Sequence, residues 1–413
     1  MELARQSVPT VGDRSQPRAG RARLWWTVHQ WVGLKLSLFL TFILFTGTLA
    51  VVSAEIDWLL QPSLRVSPVA ADTQINWTAI ARNAARYPGV ARVQGMEAPT
   101  ASAFAVKVTV SDSADKLFYL HAHPVSGEIQ GQAPWAGAQR ILRNLHRHLN
   151  LPTRIGVPIV GFLGFLLFVS LVTSLVVYKK WWRGFTKPLR SRDARTWWGD
   201  FHRLLGVWSL WFIALIAITG IWYFAESLGL DAPPLPRVET ERVAQPEQAP
   251  DLGRAFAAAR AAYPGLKVQH VLLAGEDSPY LQLHGDYKAV LVRPRSNAIW
   301  VDPATAEVLL VTDGRDLNVH QRISEMADPL HFGSFGGYWT KIPWFLFGLA
   351  LTGLSLSGAA IYSLRIARER GGKPALVQAF FGMWRDNPRW RWISASLIAI
   401  GFALMPVLIF QLD

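Results

Sequence analysis

The sequence predicts a membrane all-α bundle of five transmembrane helices in two pseudo-symmetric halves, with two α+β modules on its outer side. Three observations predict it. Hydrophobic residues make up 51% of the 413 residues and gather into long runs, each near the roughly 17–25 residues needed to span a membrane. Basic clusters abut those runs. A register of histidine, glycine and threonine in the first half recurs in the second.

A tail at 1–30 holds Arg14, Arg18, Arg21 and Arg23, and a first span follows at 31–53. The first outer module covers 54–156 and the second span 157–178. A loop at 179–203 carries Lys179, Lys180, Arg183, Lys187, Arg190, Arg192 and Arg195. The third span is 204–224, the second outer module 225–341 and the fourth span 342–362. A further basic loop, 363–392, holds Arg365, Arg368, Arg370, Lys373, Arg385, Arg389 and Arg391 before a fifth span at 393–410. Basic loops stay inside, so the N-terminus is expected in the cytoplasm and the C-terminus in the periplasm. The first apolar run is too long for a signal h-region and reads as an anchor. The net charge of +13 is explained by these loops, not by nucleic-acid binding. The tryptophan pairs at 25–26, 181–182 and 197–198 read as an interfacial aromatic belt.

The modules echo one another. Helical stretches at 77–86 and 252–262 are broken by Tyr87-Pro88-Gly89 and Tyr263-Pro264-Gly265. Alternating segments at 103–110 and 116–121, and at 280–284, 289–292 and 298–301, read as strands. Residues 231–250 read as a linker. His123-Pro124-Val125-Ser126-Gly127-Glu128-Ile129 matches Asp302-Pro303-Ala304-Thr305-Ala306-Glu307-Val308. In the membrane, His29 precedes Gly33 by four residues and Thr46-Gly47 by seventeen and eighteen; His202 stands in the same relation to Gly206 and Thr219-Gly220. Both halves enter the membrane in one orientation, which makes this a parallel repeat; the fifth span lies outside it.

Four histidines stand at repeated positions. His29 and His202 lie at the inner ends of the first and third spans; His146, or its neighbour His148, and His331 precede the second and fourth. A pseudo-twofold axis would bring equivalent imidazoles face to face, an arrangement suited to the axial ligands of a b-type haem. Two such pairs imply two haems. Gly33 and Gly206, one helical turn past their histidines, would leave room for a porphyrin; Thr46-Gly47 and Thr219-Gly220 would border the second haem or serve packing alone. Arg203, Arg143, Arg147 and Lys341 are placed to pair with propionates. The competing reading makes each histidine an interfacial polar residue. His121, His123, His270 and His284 read as strand-surface residues, with the His121-x-His123 pair a candidate metal site; His320 lies eleven residues before His331, on the same face if that stretch is helical. The absence of cysteine excludes disulfides, Cys-ligated iron–sulfur clusters and covalent c-type haem. Gly333-Ser334-Phe335-Gly336-Gly337 follows no strand and fails as a dinucleotide fingerprint. No carboxylate pair or nucleophile triad stands out.

The segments Thr27-Val28-His29-Gln30-Trp31-Val32-Gly33, Leu145-His146-Arg147-His148-Leu149, Phe201-His202-Arg203-Leu204-Leu205-Gly206 and Leu330-His331-Phe332-Gly333 resemble those of the PepSY-associated transmembrane proteins of bacterial inner membranes, over about 25–365. The resemblance implies two periplasmic PepSY-like modules and, as in some members, a ferric-siderophore reductase with two haems. His29 and His202 would then hold the cytoplasmic haem, and His146 and His331 the periplasmic one. Electrons from a cytoplasmic or quinol donor would reduce a ferric siderophore or other ferric chelate, or a periplasmic redox protein. The alternative is a non-enzymatic membrane-anchored binding or regulatory protein for a periplasmic partner. A transporter fits less well, since ionisable residues such as Glu55, Asp57 and Glu226 lie only at the outer edge of the spans.

Overall fold

A computed structural model describes residues 18–70, 73–239, 251–275, 278–369, 371, 384 and 388–411. Most of the N-terminal tail, the second half of the expected linker and most of the loop before the last span lie outside the described residues, among them Arg14, Arg370, Lys373 and Arg385.

Long apolar stretches without charge form helices because no other backbone arrangement satisfies its own polar groups in hydrocarbon. Among the described residues four helices are long and apolar enough to cross a membrane, and a bent pair makes a fifth. The bent pair is α1 (Arg18–Lys35) and α2 (Ser37–Val51). They meet at 66°, so the first span is not the single helix expected; Lys35 and Ser37 interrupt its apolar run at the bend. Ser37 stands at the break, where its hydroxyl donates to the Leu34 carbonyl and accepts from the Trp384 indole; serine at such a point competes for backbone groups and favours a kink. The third span also has a break, at Ser209 between α7 (Ala194–Trp208) and α8 (Leu210–Ser227). Leu36 and Ser209 each lie seven residues past the repeated histidine.

After α2 come a short α3 (Ser53–Leu60), then α4 (Trp77–Ala85), α5 (Ala138–His148) and the second span, α6 (Thr153–Val177). The second half supplies α9 (Leu252–Ala262), α10 (Val319–Phe332) and the fourth span, α11 (Tyr338–Glu369). Pro158 and Pro343 occupy the same place, six residues into α6 and α11. The last span is α12 (Pro388–Ala403) with α13 (Met405–Phe410). The halves interlock through small residues. A Cβ on Gly164 of α6 would stand 2.9 Å from the Ile221 amide of α8, and one on Gly348 of α11 would stand 2.7 Å from Thr48 Oγ1 of α2. Gly220, for which both a haem border and packing alone were expected readings, packs on the backbone of Gly164.

The two outer modules are one sheet. Its strands are β1 (Arg92–Glu97), β2 (Val106–Ser111), β3 (Leu117–Ala122), β4 (Ile129–Pro134), β5 (Lys267–Leu272), β6 (Leu281–Asp286), β7 (Ala298–Val301) and β8 (Val308–Thr312). They run in the order β4-β3-β2-β1-β5-β6-β7-β8. This order is symmetric about the β1–β5 seam, where Gly95, Met96 and Glu97 pair antiparallel with Leu272, Val271 and His270. Strand alternation divides the faces. Met96, Val106, Val108, Leu120, Val271 and Ile299 form a buried core with Trp77 and Ile80 of α4 and Phe256 of α9. Glu97, Lys107, Tyr119, His121 and His270 occupy the alternate positions and line a cavity above the bundle. The segment 289–292, expected as a strand, is irregular: Arg322 takes the Val290 carbonyl, Leu291 has φ 56°, and Pro294 follows. Gln411, after α13, exchanges two hydrogen bonds with the backbone of Leu117 at the start of β3. The end of the fifth span therefore lies on the sheet side of the membrane.

The seam tolerates no side chain at Gly95, whose added Cβ would stand 2.7 Å from the Val271 carbonyl. Gly95→Val is expected to destabilise the sheet by about 1–3 kcal/mol, read as a lowered midpoint in thermal unfolding of the purified protein.

Candidate functional site

Four short or broken helices deliver the four histidines. His29 lies on α1 before its bend and His202 on α7 before its break. His146 ends α5, whose first amides, Ala138 and Gln139, donate to the buried Asp57 carboxylate at 2.7 and 3.0 Å; the acid both satisfies orphan donors and complements the helix dipole. His331 ends α10, which opens with a capping box between Asn318 and Gln321 and closes on Gly333 at φ 66°.

The rings meet in two pairs. The centroids of His29 and His202 are 6.5 Å apart, with planes at 80°. Those of His146 and His331 are 6.0 Å apart, with planes at 38°. Each pair joins the two halves at repeat-related positions. His148, the alternative to His146, does not face His331, and its Nδ1 is buried without a partner.

Each of the four rings is held through Nδ1. His29 meets Thr173 Oγ1 at 3.0 Å, His202 meets Ser357 Oγ at 2.9 Å, and His331 meets Thr219 Oγ1 at 2.7 Å. Each hydroxyl has a single proton, which reaches a carbonyl one helical turn back: Val169 for Thr173, Leu354 for Ser357 and Leu215 for Thr219. With the proton placed there, the hydroxyl oxygen accepts and Nδ1 donates. His146 Nδ1 meets the Ile43 carbonyl at 2.9 Å, which can only accept. His146 is thereby fixed as the Nδ1–H tautomer, and this placement of the hydroxyl protons assigns the same tautomer to His29, His202 and His331, with the Nε2 lone pairs free. Fixing one ring nitrogen by hydrogen bonding so that the other can ligate is the usual support of a metal-binding histidine.

The spacing fits that use. Imidazole–metal bonds of about 2 Å on opposite sides of one ion, with about 1 Å from each nitrogen to its ring centre, require centroids about 6 Å apart. Among the described residues no group of three or more His, Cys, Asp or Glu side chains is disposed to hold an ion. Two ligands per pair match the axial positions of a haem, whose other four ligands come from the porphyrin.

The glycines divide. A Cβ on Gly33 would meet nothing within 4 Å, and one on Gly206 only the tip of Leu354 at 3.6 Å, so space lies open beside both. A Cβ on Gly47 would collide with the His146 ring at 2.5 Å, and one on Gly358 would press on His202 Cε1 at 3.4 Å. Gly358 escapes sequence reasoning; the small-residue run from Ser357 to Ala360 was its available signal.

Of the cations near the histidines, Arg203 is bound elsewhere, donating to the Gly184, Lys187 and Pro188 carbonyls and pairing with Asp200. Lys341 pairs with Glu55 at 2.6 Å. Arg143 and Arg147 face a cavity of about 980 Å³ that reaches His146 and His331. Arg143 also lies over the Phe332 ring. Repeat-related positions carry opposite charge: three residues before each histidine stand Arg143 and Asp328, and six before, Arg140 and Glu325. Burial would raise the Glu325 carboxyl, but hydrogen bonds from Arg293 and Arg295 outweigh it and hold it below its usual range.

The outer histidines are not strand-surface residues throughout. His121 is 1% exposed and bonds Ser63 at 2.8 Å. His123 is turned away, accepting the Val125 and Ser126 amides in a turn, so the His121-x-His123 pair does not assemble as a metal site. His320 packs on Trp222, apart from the His146–His331 pair.

A duplicated helical bundle with facing histidines at two levels, roofed by one sheet, defines a multi-pass membrane protein built around a paired-imidazole core. The chain belongs to the family of the PepSY-associated TM region, whose model matches residues 26–365. No curated protein matches the chain.

Burial, with Lys107 nearby, lowers His121 to about 4, and burial, with His270 and Arg295, lowers His284 to about 4. Both are neutral in the folded sheet but take up protons in the unfolded chain below its ordinary value of 6.5. Their contribution to stability is therefore complete above about pH 6.5 and declines as pH falls toward 4. Thermal unfolding midpoints are expected to drop over that window, and to drop less steeply in His121→Gln and His284→Gln.

Proposed function

We propose that the protein is a di-haem reductase of a bacterial inner membrane, passing electrons across it to a ferric siderophore or similar ferric chelate. The observation that carries this reading is the pair of facing imidazole pairs, each ring held as the Nδ1–H tautomer. An anchor for a binding or regulatory domain has no use for matched histidines at two levels, each with its own hydrogen-bond acceptor.

His29 and His202 would hold one haem on the cytoplasmic side, and His146 and His331 the other on the periplasmic side, beneath two PepSY-like modules. Bound haem supplies a one-electron iron couple at each level. Thr173, Ser357, Thr219 and the Ile43 carbonyl keep the four rings oriented and their Nε2 atoms basic. Gly33 and Gly206 leave room beside the first pair.

The acceptor would enter the cavity between sheet and bundle. Its wall offers Arg143 and Arg147, which have no acidic partner within ion-pair distance among the described residues, and its roof offers Lys107 and His121. Such a wall attracts anionic, oxygen-rich chelates. One electron reduces the chelated ferric iron to ferrous, which binds hard oxygen chelators less tightly and can leave. The electron comes from a cytoplasmic or quinol donor.

The test is a dithionite-reduced minus oxidised absorbance spectrum with haem counted per chain. About two b-type haems per chain are expected, and about one in His29→Ala or His331→Ala, because two-sided ligation needs both partners. A colourless protein that takes up no added haem would overturn the reading. Thr219→Val, which removes the acceptor of His331 Nδ1–H, is expected to weaken retention of one haem by about 10–100-fold, read by titrating haem back into the stripped protein.

A further inference from the structure

The fifth span has no counterpart in the repeat, yet it packs beside the helix that carries one of the four histidines. A Cβ on Gly401 of α12 would stand 3.3 Å from Leu145 and 3.5 Å from Leu149, the residues before and three after His146. The Asn150 amide donates to the Gly401 carbonyl at 2.9 Å, in the last turn of α12, where carbonyls lack helical partners. Leu397 and Ile398 of α12 pack into the apolar cluster of Phe39, Ile43, Leu149 and Leu163. Ile43 is the residue whose carbonyl accepts from His146 Nδ1. The span therefore touches both the helix that carries His146 and the residue that orients its ring.

The turn after His146 explains the need. Leu149 and Asn150 both adopt left-handed backbone, at φ 56° and 57°. Side-chain-bearing residues reach that region at a cost, least for asparagine. The corresponding turn after His331 is made at Gly333, φ 66°, where there is no such cost. The first half makes its turn with a leucine and an asparagine, and buries that leucine completely.

We infer that the fifth span is a positioning element for the sheet-side site: through Gly401 it holds the strained Leu149–Asn150 turn closed and so keeps His146 opposite His331. Asn150 and Gly401 are positioning residues, acting through α5 without touching a ligand. The inference rests on the proposed haem ligation for its function, but not for its structural content.

Two readouts on the full-length protein separate these. Amide hydrogen exchange of Asn150→Ala and Gly401→Leu is expected to quicken across 138–148 and to stay unchanged across 319–332, with or without haem. Haem titration and potentiometry are expected to show about one haem per chain held as in the wild type and the other weakened about 10-fold or shifted in potential. Asn150→Gly loses the amide bond but relieves the backbone, and is expected to keep more of the weakened site than Asn150→Ala. Unchanged exchange across 138–148 overturns the inference, as does equal loss at both haems. A haem-free wild type sinks the reductase reading and leaves the exchange result to decide the role of the span.

Discussion

Four hydrogen bonds, one from each core histidine through Nδ1, set the terms for everything around them. A neutral imidazole has one donor and one acceptor, and engaging the donor fixes both the tautomer and the ring's orientation. Three acceptors are hydroxyls that have already given their proton to their own helix; the fourth is a backbone carbonyl. Burying these groups unpaired would be costly. The helices that carry the acceptors, α2, α6, α8 and α11, must therefore lie where the helices that carry the histidines can reach them. The broken spans serve that reach, since α1 and α7 stop six residues after their histidines and hand over to separately oriented helices.

Duplication supplied the plan, and divergence altered it in ways that matter chemically. Thr219 accepts directly from His331, whereas its counterpart Thr46 donates to the Phe42 and Ile43 carbonyls and leaves His146 to bond Ile43 itself. The arginines preceding His146 stand where the second half has Asp328 and Glu325. The first half thus sets Arg140 and Arg143 in the cavity wall at these two positions. The other consumes its acids internally, Asp328 accepting from Tyr223 and Glu325 from Arg293, Arg295 and Ser296.

Much of this core was legible in the sequence because it repeats. The spacing from His29 to Gly33 and Thr46, and its copy from His202, marked the histidines without any structure. Helices at 77 and 252 were legible from their apolar faces and the Tyr-Pro-Gly stops. The acceptors of Nδ1–H were harder: Thr173 and Ser357 sit in apolar runs where a hydroxyl looks like any small residue. Thr219 was visible but suggested packing. The break at Leu36 is flanked by Lys35 and Ser37, but a lone charge and a serine within a span do not report a change of direction. The β1–β5 seam was illegible for another reason. It pairs Met96 with Val271, far apart in sequence, and β1 carries Gly95 where a strand pattern expects an apolar residue.

That seam also limits how the molecule can move. Two repeats joined only by loops can rock about their common axis, as the halves of many carriers do. Here a ladder of backbone hydrogen bonds crosses the axis and ties the halves like a yoke over paired oxen. Rocking one against the other would shear the ladder and part Met96 from Val271 beneath two helices. Tunnelling decays steeply with separation, so a conductor gains from parts held at constant spacing. The yoke suits the proposed electron conductor, whose cargo would travel through fixed matter, with no need for a gate to swing.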